Sequence, residues 1–250
     1  MVVPNNASVI VGCCGFGIAR PRYVEHFSTV EVQQTFYEPP QILTLKNWRV
    51  EVPIKFDFAI KAWQLITHGS TSPTYRRLKT EFAVEELKEA GSFNTSAIVE
   101  QAWKKTLECA TALKSSRILF QCPASFKPTE ANIDNLRKFF LRIDRPDNCL
   151  LCWEPRGKAW TVDLIVGLCG ELDLVHVVDP FVTETVTPQN LYYRMHGRTG
   201  WRHEFADEEL DALRRLVPDG SSGRVYFNNV RMIVDASRFQ KKLINLGSPE

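Results

Sequence analysis

Short apolar runs rich in β-branched residues recur along the chain, and the stretches between them carry apolar residues at helical spacing. The pattern predicts strands at 8–12 (SVIVG), 29–35 (TVEVQQT), 56–62 (FDFAIKA), 117–122 (RILFQC), 149–154 (CLLCWE), 173–179 (DLVHVVD), 191–197 (LYYRMHG) and 224–229 (RVYFNN). Helices are predicted at 96–114, 131–143, 159–170, 207–217 and 230–244. In the first of these, Ala97, Val99, Trp103, Leu107, Ala110 and Leu113 share one face at helical spacing. Asp207 is the predicted N-cap of EELDALRRL, with Glu208 and Glu209 in the first turn, where the helix dipole favours acids.

Strands that alternate with helices imply βα units around a parallel sheet. Eight of them in 250 residues suit a single α/β domain over residues 1–250, a closed (β/α)8 TIM barrel, with a doubly wound open sheet as the rival. The least regular stretch, 64–96, follows the third strand. An extended loop there would lie on the C-terminal face, where barrel sites are built.

Composition narrows the picture. A hydrophobic content of 44% supports a substantial core, and a net charge of +2 confines any strong positive potential to local clusters. No apolar run approaches the ~20 residues that span a bilayer. MVVPNNASVIVG lacks a basic leader and apolar h-region, so a soluble, cytoplasmic protein without a membrane partner is expected. Seven cysteines cannot all pair internally. Cys149 and Cys152 would point to opposite faces of a strand, and buried core thiols are expected there. The adjacent Cys13 and Cys14 suggest no particular chemistry.

The strand ends carry the candidate chemistry. If the bulky apolar positions cover the helices, Glu31, Gln33, Thr35, Asp57, Lys61, Gln121, Cys152, Glu154, Asp179, Arg194, His196 and Asn228 point into the barrel. Buried charges must pair with one another, with water or with a ligand, and ligands of such barrels bind at this rim. Lys61, Arg156, Arg194 and Arg198, with His68 and His196, oppose Glu31, Glu154 and Asp179. That balance suits a small anionic substrate, phosphorylated or nucleotide-like, because the arginine fork matches phosphate and carboxylate. Tyr37, Trp63, Trp160, Tyr192 and Trp201 offer stacking surfaces, although each alone also suits core packing.

Glu154 is the candidate general acid or base. Lys61 is an electrostatic stabiliser or nucleophile, and His196 a proton carrier. No GxGxxG or GxxxxGK[ST] loop is present, so hydrolase or lyase chemistry without a redox cofactor is expected. Three alternatives stand beside it. Glu154 with Arg156 or Lys61 could form only a structural salt bridge. Glu154, Asp179, His196 and Glu31 could hold a divalent metal, although no HxH or HExxH spacing is present and the nearby cations would oppose it. A non-catalytic module could bind a ligand or a nucleic acid in the same pocket, although the net charge does not favour nucleic acid.

Taken in order, IVG, TVEVQQTFYEPP, FAIKA followed by TH, ILFQCPASFKP, WEPRGKAW, VVDP, YYRMHGR and VYFNN resemble the DUF72 (YecE-like) family over nearly the whole chain. The resemblance implies a TIM barrel and no established reaction. It also implies pocket positions at Glu31, Thr35, Phe36, Tyr37, Lys61, His68, Gln121, Glu154, Arg156, Trp160, Asp179, Arg194, His196, Gly197, Arg198, Phe227, Asn228 and Asn229. Two segments depart from the family. GCCGFGIAR is shortened and lacks the usual tryptophan, and WEPRGKAW keeps Glu154, Arg156 and Trp160 without the usual histidine. A proton-transfer role for that histidine does not carry over.

Overall fold

In the computed structural model, which describes residues 9–244, eight parallel strands close a barrel in chain order. They are β1 Val9–Cys13, β2 Thr29–Val32, β3 Asp57–Lys61, β4 Arg117–Gln121, β5 Leu150–Glu154, β6 Val175–Val178, β7 Asn190–Met195 and β8 Ser222–Phe227. The intervening α-helices are α1 Arg20–Val24, α2 Gln34–Tyr37, α3 Ile42–Val50, α4 Gln64–Thr67, α5 Val84–Lys88, α6 Ala97–Leu113, α7 Glu130–Arg142, α8 Val162–Glu171, α9 Asp207–Arg215 and α10 Met232–Ile244. The closed order is that of a TIM barrel and replaces the open-sheet rival. No described helix is long and apolar enough to cross a membrane. Ser8, which begins the first predicted strand, lies outside the described residues, as does most of MVVPNNASVIVG.

The chain forms two compact units, one of residues 32–174 and one of residues 9–31 with 175–244. In the first, β3, β4 and β5 run in register through Lys61 opposite Leu119, Leu119 opposite Cys152, and Gln121 opposite Glu154. Phe120 meets Phe93, Trp103, Phe139 and Phe140 at ring-centroid distances of 4.9 to 6.2 Å. Offset and edge contacts of this kind add to the area term. Thr129 and Thr161 start α7 and α8 by accepting the backbone N–H groups of Asn132 and Leu164.

In the second unit β1 pairs with β8 and β7 with β8, with Phe227 opposite both Cys13 and Met195. Phe227 packs against Phe205 at 5.3 Å and Phe239 at 5.9 Å. The Tyr23 hydroxyl accepts the Cys13 N–H and donates to the Thr29 carbonyl, both at 2.9 Å, so it ties α1 to two adjacent strands.

Several local expectations change. The second strand stops at Val32, and Thr35 sits in α2 rather than facing inward from an extended strand. On α6 the buried residues are Ile98, Val99, Ala102, Trp103, Thr106, Cys109, Ala110, Ala112 and Leu113, while Ala97 is exposed and Leu107 only half-buried. The N-cap of α9 is Ala206, not Asp207, because the Glu209 carboxylate reaches back to accept the Ala206 N–H at 3.0 Å. Helix α8 begins at Val162, which leaves Trp160 in the preceding loop. The stretch after β3 is broken into α4, a 3₁₀ turn at Pro73–Arg77, and α5.

Replacing Phe120 with Ala removes the ring that four other aromatics share. Urea denaturation should show a loss of about 3–5 kcal/mol. A loss below about 1 kcal/mol would mean that the layer outside β4 is not packed as described.

Candidate functional site

Lys61, Gln121 and Glu154 are the last residues of β3, β4 and β5. The register sets Lys61 beside Leu119, so Gln121 lies two residues further along and its amide reaches over the lysine. Lys61 Nζ donates to Gln121 Oε1 at 2.6 Å, and Gln121 Nε2 donates to Glu154 Oε1 at 3.3 Å. Arg156 closes on the same carboxylate oxygen, through Nε at 2.8 Å and through a terminal nitrogen at 2.7 Å. One carboxylate is thus linked to two cations, directly to one and through an amide to the other. Glu154 and Lys61 are 6% and 4% exposed, whereas the Arg156 side chain is 40% exposed.

Helix α2 and the loop after β3 hold the lysine in place. Thr35 Oγ1 donates to the Lys61 carbonyl at 2.8 Å, and the Lys61 ammonium lies 4.0 Å from the centre of the Phe36 ring. His68 meets the same ring edge-on at 4.9 Å and shares a 2.7 Å hydrogen bond between its Nδ1 and Thr67 Oγ1. Burial first, then the charges of Lys61 and Arg156, lower its pKa from 6.5 to about 4. It is therefore a neutral hydrogen-bonding group at neutral pH. A left-handed run at Gly91, Ser92 and Phe93 backs α4. A Cβ at Gly91 would lie 2.4 Å from the His68 carbonyl carbon, so only glycine lets the chain approach His68 this closely. Tyr37, half-buried, carries the Arg77 guanidinium 3.6 Å above its ring.

In the other unit, Glu31 on β2 is fully buried and accepts from Arg194 Nε at 2.9 Å and from a terminal Arg194 nitrogen at 3.0 Å. The Tyr192 hydroxyl donates to Glu31 at 2.6 Å and the Cys14 thiol at 3.2 Å. Arg194 is 1% exposed, so its fork is engaged by Glu31 rather than offered to solvent. Burial first and then the Glu31 carboxylate push the Cys14 thiol well above its ordinary pKa, which keeps it a proton donor. The His196 ring, half-buried, lies 3.3 Å from an Arg194 nitrogen through Nε2 and 4.0 Å from the Asp179 carboxylate through Nδ1, while the His196 backbone N–H donates to that carboxylate at 3.2 Å.

The remaining candidates are placed differently from one another. Trp160 is buried against Phe126 and Trp153, and its indole N–H donates to the Phe126 carbonyl at 3.0 Å, which is core packing. Trp63, Tyr192 and Phe227 are buried too. Asn229 donates to the His203 carbonyl and to Asp235, both at 2.7 Å, and so braces the start of α10. Asn228 is half-buried, and its backbone N–H donates to the Met195 carbonyl at 2.9 Å. Arg198 is two-thirds exposed, 3.7 Å from Glu209, and Trp201 is also exposed. Gly197, at φ +79°, abuts His203. Asp57 opens β3 and pairs at 3.8 Å with Arg117, which opens β4, so it belongs to the strand starts.

All seven cysteines are free; Cys152 is buried and Cys149 half-buried. Among the described residues, no group of three or more His, Cys, Asp and Glu side chains is arranged to hold a metal ion. Sequence reasoning did not single out Thr67, Arg77 or the glycine at 91. Only the adjacency of Thr67 to His68 could have signalled the first. The other two depend on contacts across long loops.

A family profile described as a protein of unknown function, DUF72, matches residues 20–248. A crystal structure of a DUF72 family protein from Enterococcus faecalis superposes with a TM-score of 0.70 at 20% identity, covering 95% of this chain and 98% of that one. A DUF72 family protein from Thermotoga maritima gives 0.66 at 20% identity, covering 94% and 99%. A D-tagatose 3-epimerase-like protein gives 0.55 at 12% identity, covering 95% and 98%. At these identities the likeness to solved structures is one of fold. No curated protein matches the sequence at a significant level.

Two outcomes follow from the geometry. Arg194→Met leaves the buried Glu31 without this cation and should cost about 3–5 kcal/mol in urea denaturation, whereas adding Glu31→Leu should restore much of it. A double variant as unstable as the sum of both singles would contradict the buried pair. For His68, the unfolded chain binds a proton near pH 6.5 and the folded chain near pH 4. Stability is therefore unaffected above that window and falls as pH drops through it, by at most about 3 kcal/mol. Denaturation at a series of pH values should show this slope in the parent and a shallower one in His68→Gln; equal slopes would remove the buried neutral imidazole.

Proposed function

The chain belongs to the DUF72 family of proteins of unknown function, and from its strand ends we propose that it is an enzyme of hydrolase or lyase type. It acts on a small anionic substrate, phosphorylated or nucleotide-like, at Lys61, Gln121, Glu154 and Arg156, without a redox cofactor. The observation that carries this reading is the link from a nearly buried carboxylate to a buried lysine and a part-exposed arginine through one amide.

Each group has a role that its placement supports. Arg156 reaches solvent while Glu154 orients it, and its planar fork suits a phosphate or carboxylate. Lys61 adds charge from a desolvated position, where it counts for more than on the surface. An anion arriving at Arg156 competes with Glu154 for the guanidinium. As that ion pair loosens, the carboxylate holds a proton more readily, so substrate binding itself prepares Glu154 as the acid or base. His68 serves as a neutral hydrogen-bonding group rather than a charged one. His196, between Arg194 and Asp179, is the proposed proton carrier of its own cluster. A cytoplasmic location belongs to the same proposal, since free, largely buried thiols suit a reducing compartment.

The short contacts between Arg156 and Glu154 also favour a second reading, in which the cluster only anchors an anion. Glu154→Gln separates the two, because glutamine keeps hydrogen-bonding capacity but cannot carry the proton. Phosphorylated sugars and nucleotides can be screened by the rise in melting temperature that a ligand produces, and hits assayed for turnover. The enzyme reading expects Glu154→Gln to keep the ligand shift and lose about 10²–10⁴-fold in turnover. Arg156→Met should weaken binding. A Glu154→Gln variant with full turnover would remove the acid/base role, and tighter binding with no turnover in the parent would favour the anchoring module.

A further inference from the structure

The connection from β7 to α9 carries a chain of hydrogen bonds that neither strand-end cluster uses. Thr199 Oγ1 lies 3.2 Å from His203 Nδ1, and His203 Nε2 lies 3.1 Å from a carboxylate oxygen of Glu209 on α9. The histidine is held in place by its surroundings. Its ring meets Phe205 edge-on at 4.6 Å, and Gly197 approaches so closely that an added Cβ would come within 2.2 Å of the His203 Cβ. Glu209 is fixed in turn, because the same carboxylate oxygen accepts the Ala206 N–H at 3.0 Å. The His203 and Glu209 side chains are 11% and 18% exposed, whereas Thr199 stands in an exposed turn.

An ionised carboxylate accepts and does not donate, so the proton of the neutral imidazole sits on Nε2, toward Glu209. Nδ1 then presents its lone pair, and the Thr199 hydroxyl donates to it. Hydroxyl, base and orienting carboxylate thus stand in the order that activates an alcohol as a nucleophile. A strut that merely tied the turn to α9 would need His203 and Glu209 but no solvent-facing hydroxyl on the far nitrogen. Arg198, two-thirds exposed and 3.7 Å from Glu209, sets a cation at the edge of the cluster, where it favours the negative charge that develops on an attacked carbonyl oxygen. We propose that Thr199, His203 and Glu209 form a second catalytic centre, which hydrolyses small carboxylic esters through an acyl-threonine. Thr199 Oγ bonds to the carbonyl carbon while its proton passes to His203 Nδ1, and Glu209 holds the imidazolium. The bond from that carbon to the alcohol oxygen breaks as Nδ1 returns the proton to the leaving oxygen. Water then attacks the acyl-threonine through the same relay, which releases the acid and restores the hydroxyl. An exposed turn does not enclose a long acyl chain, so the substrate is small. This centre stands independently of the reaction proposed at Glu154.

The test uses the full chain with 4-nitrophenyl acetate, following release of 4-nitrophenol and locating the acetyl group by peptide mass spectrometry after an acid quench. The parent should release 4-nitrophenol faster than buffer and carry acetyl on Thr199. Thr199→Ala should release it at least about tenfold more slowly and melt at the parent's temperature, because the side chain is exposed. Thr199→Ser, which keeps the hydroxyl, should retain both turnover and the acetyl group at position 199. His203→Gln should lose about 10²-fold or more. A parent no faster than buffer, a quenched parent without acetyl on Thr199, or release by Thr199→Ala at the parent's rate would each overturn the proposal.

Discussion

The amide of Gln121 donates to Glu154 and accepts from Lys61, and the candidate chemistry of residues 32–174 depends on that one bridge. A glutamine amide has an acceptor at one end and donors at the other, so it can join a cation to a carboxylate in only one orientation. It therefore defines a direction along the strand ends. Lysine lies on the β3 side, and the carboxylate with its arginine lies on the β5 side. The register supports the bridge, since Gln121 pairs with Glu154 while Lys61 sits two residues back beside Leu119. A one-residue slip would turn these side chains to the other face of the sheet.

Two clusters of similar composition have different physical characters. Glu31 and Arg194 are buried almost completely, and Tyr192 and Cys14 donate to the same carboxylate. Such a network specifies how strand ends pack, and breaking it is more costly than keeping it. In the cluster of Lys61, Gln121, Glu154 and Arg156, one cation remains within reach of solvent. Here an incoming anion can reach the guanidinium from solvent, and Glu154, still linked to Lys61 through Gln121, can take up a proton as it loses the arginine. That difference, more than the count of charged residues, directs the proposed chemistry to Glu154 and Arg156.

Much of this was legible in the sequence because strand parity is a strong signal. SVIVG, FDFAIKA, RILFQC and CLLCWE each form a strand within one or two residues of the expected ends, and Lys61, Gln121 and Glu154, which close the last three, are linked by hydrogen bonds. Parity failed where the chain left the extended state. QTFY turns into a helix, so Thr35 holds the Lys61 carbonyl instead of facing inward. Cap geometry was misread because Glu209 reaches back to Ala206. The sequence could not show that Arg194 is spent on Glu31, that Trp160 is covered by Phe126 and Trp153, or that His68 is held neutral. Those properties arise from packing between distant segments, and residue type alone does not encode them.

Whether the end of β5 accepts an anion at Arg156 is answered by soaking a crystal in selenate and locating the selenium by anomalous scattering. A peak is expected within hydrogen-bond reach of the Arg156 guanidinium, with the arginine drawn partly away from Glu154. Selenium bound at other cationic surfaces, while Arg156 stays closed on Glu154 with no peak beside it, would contradict it.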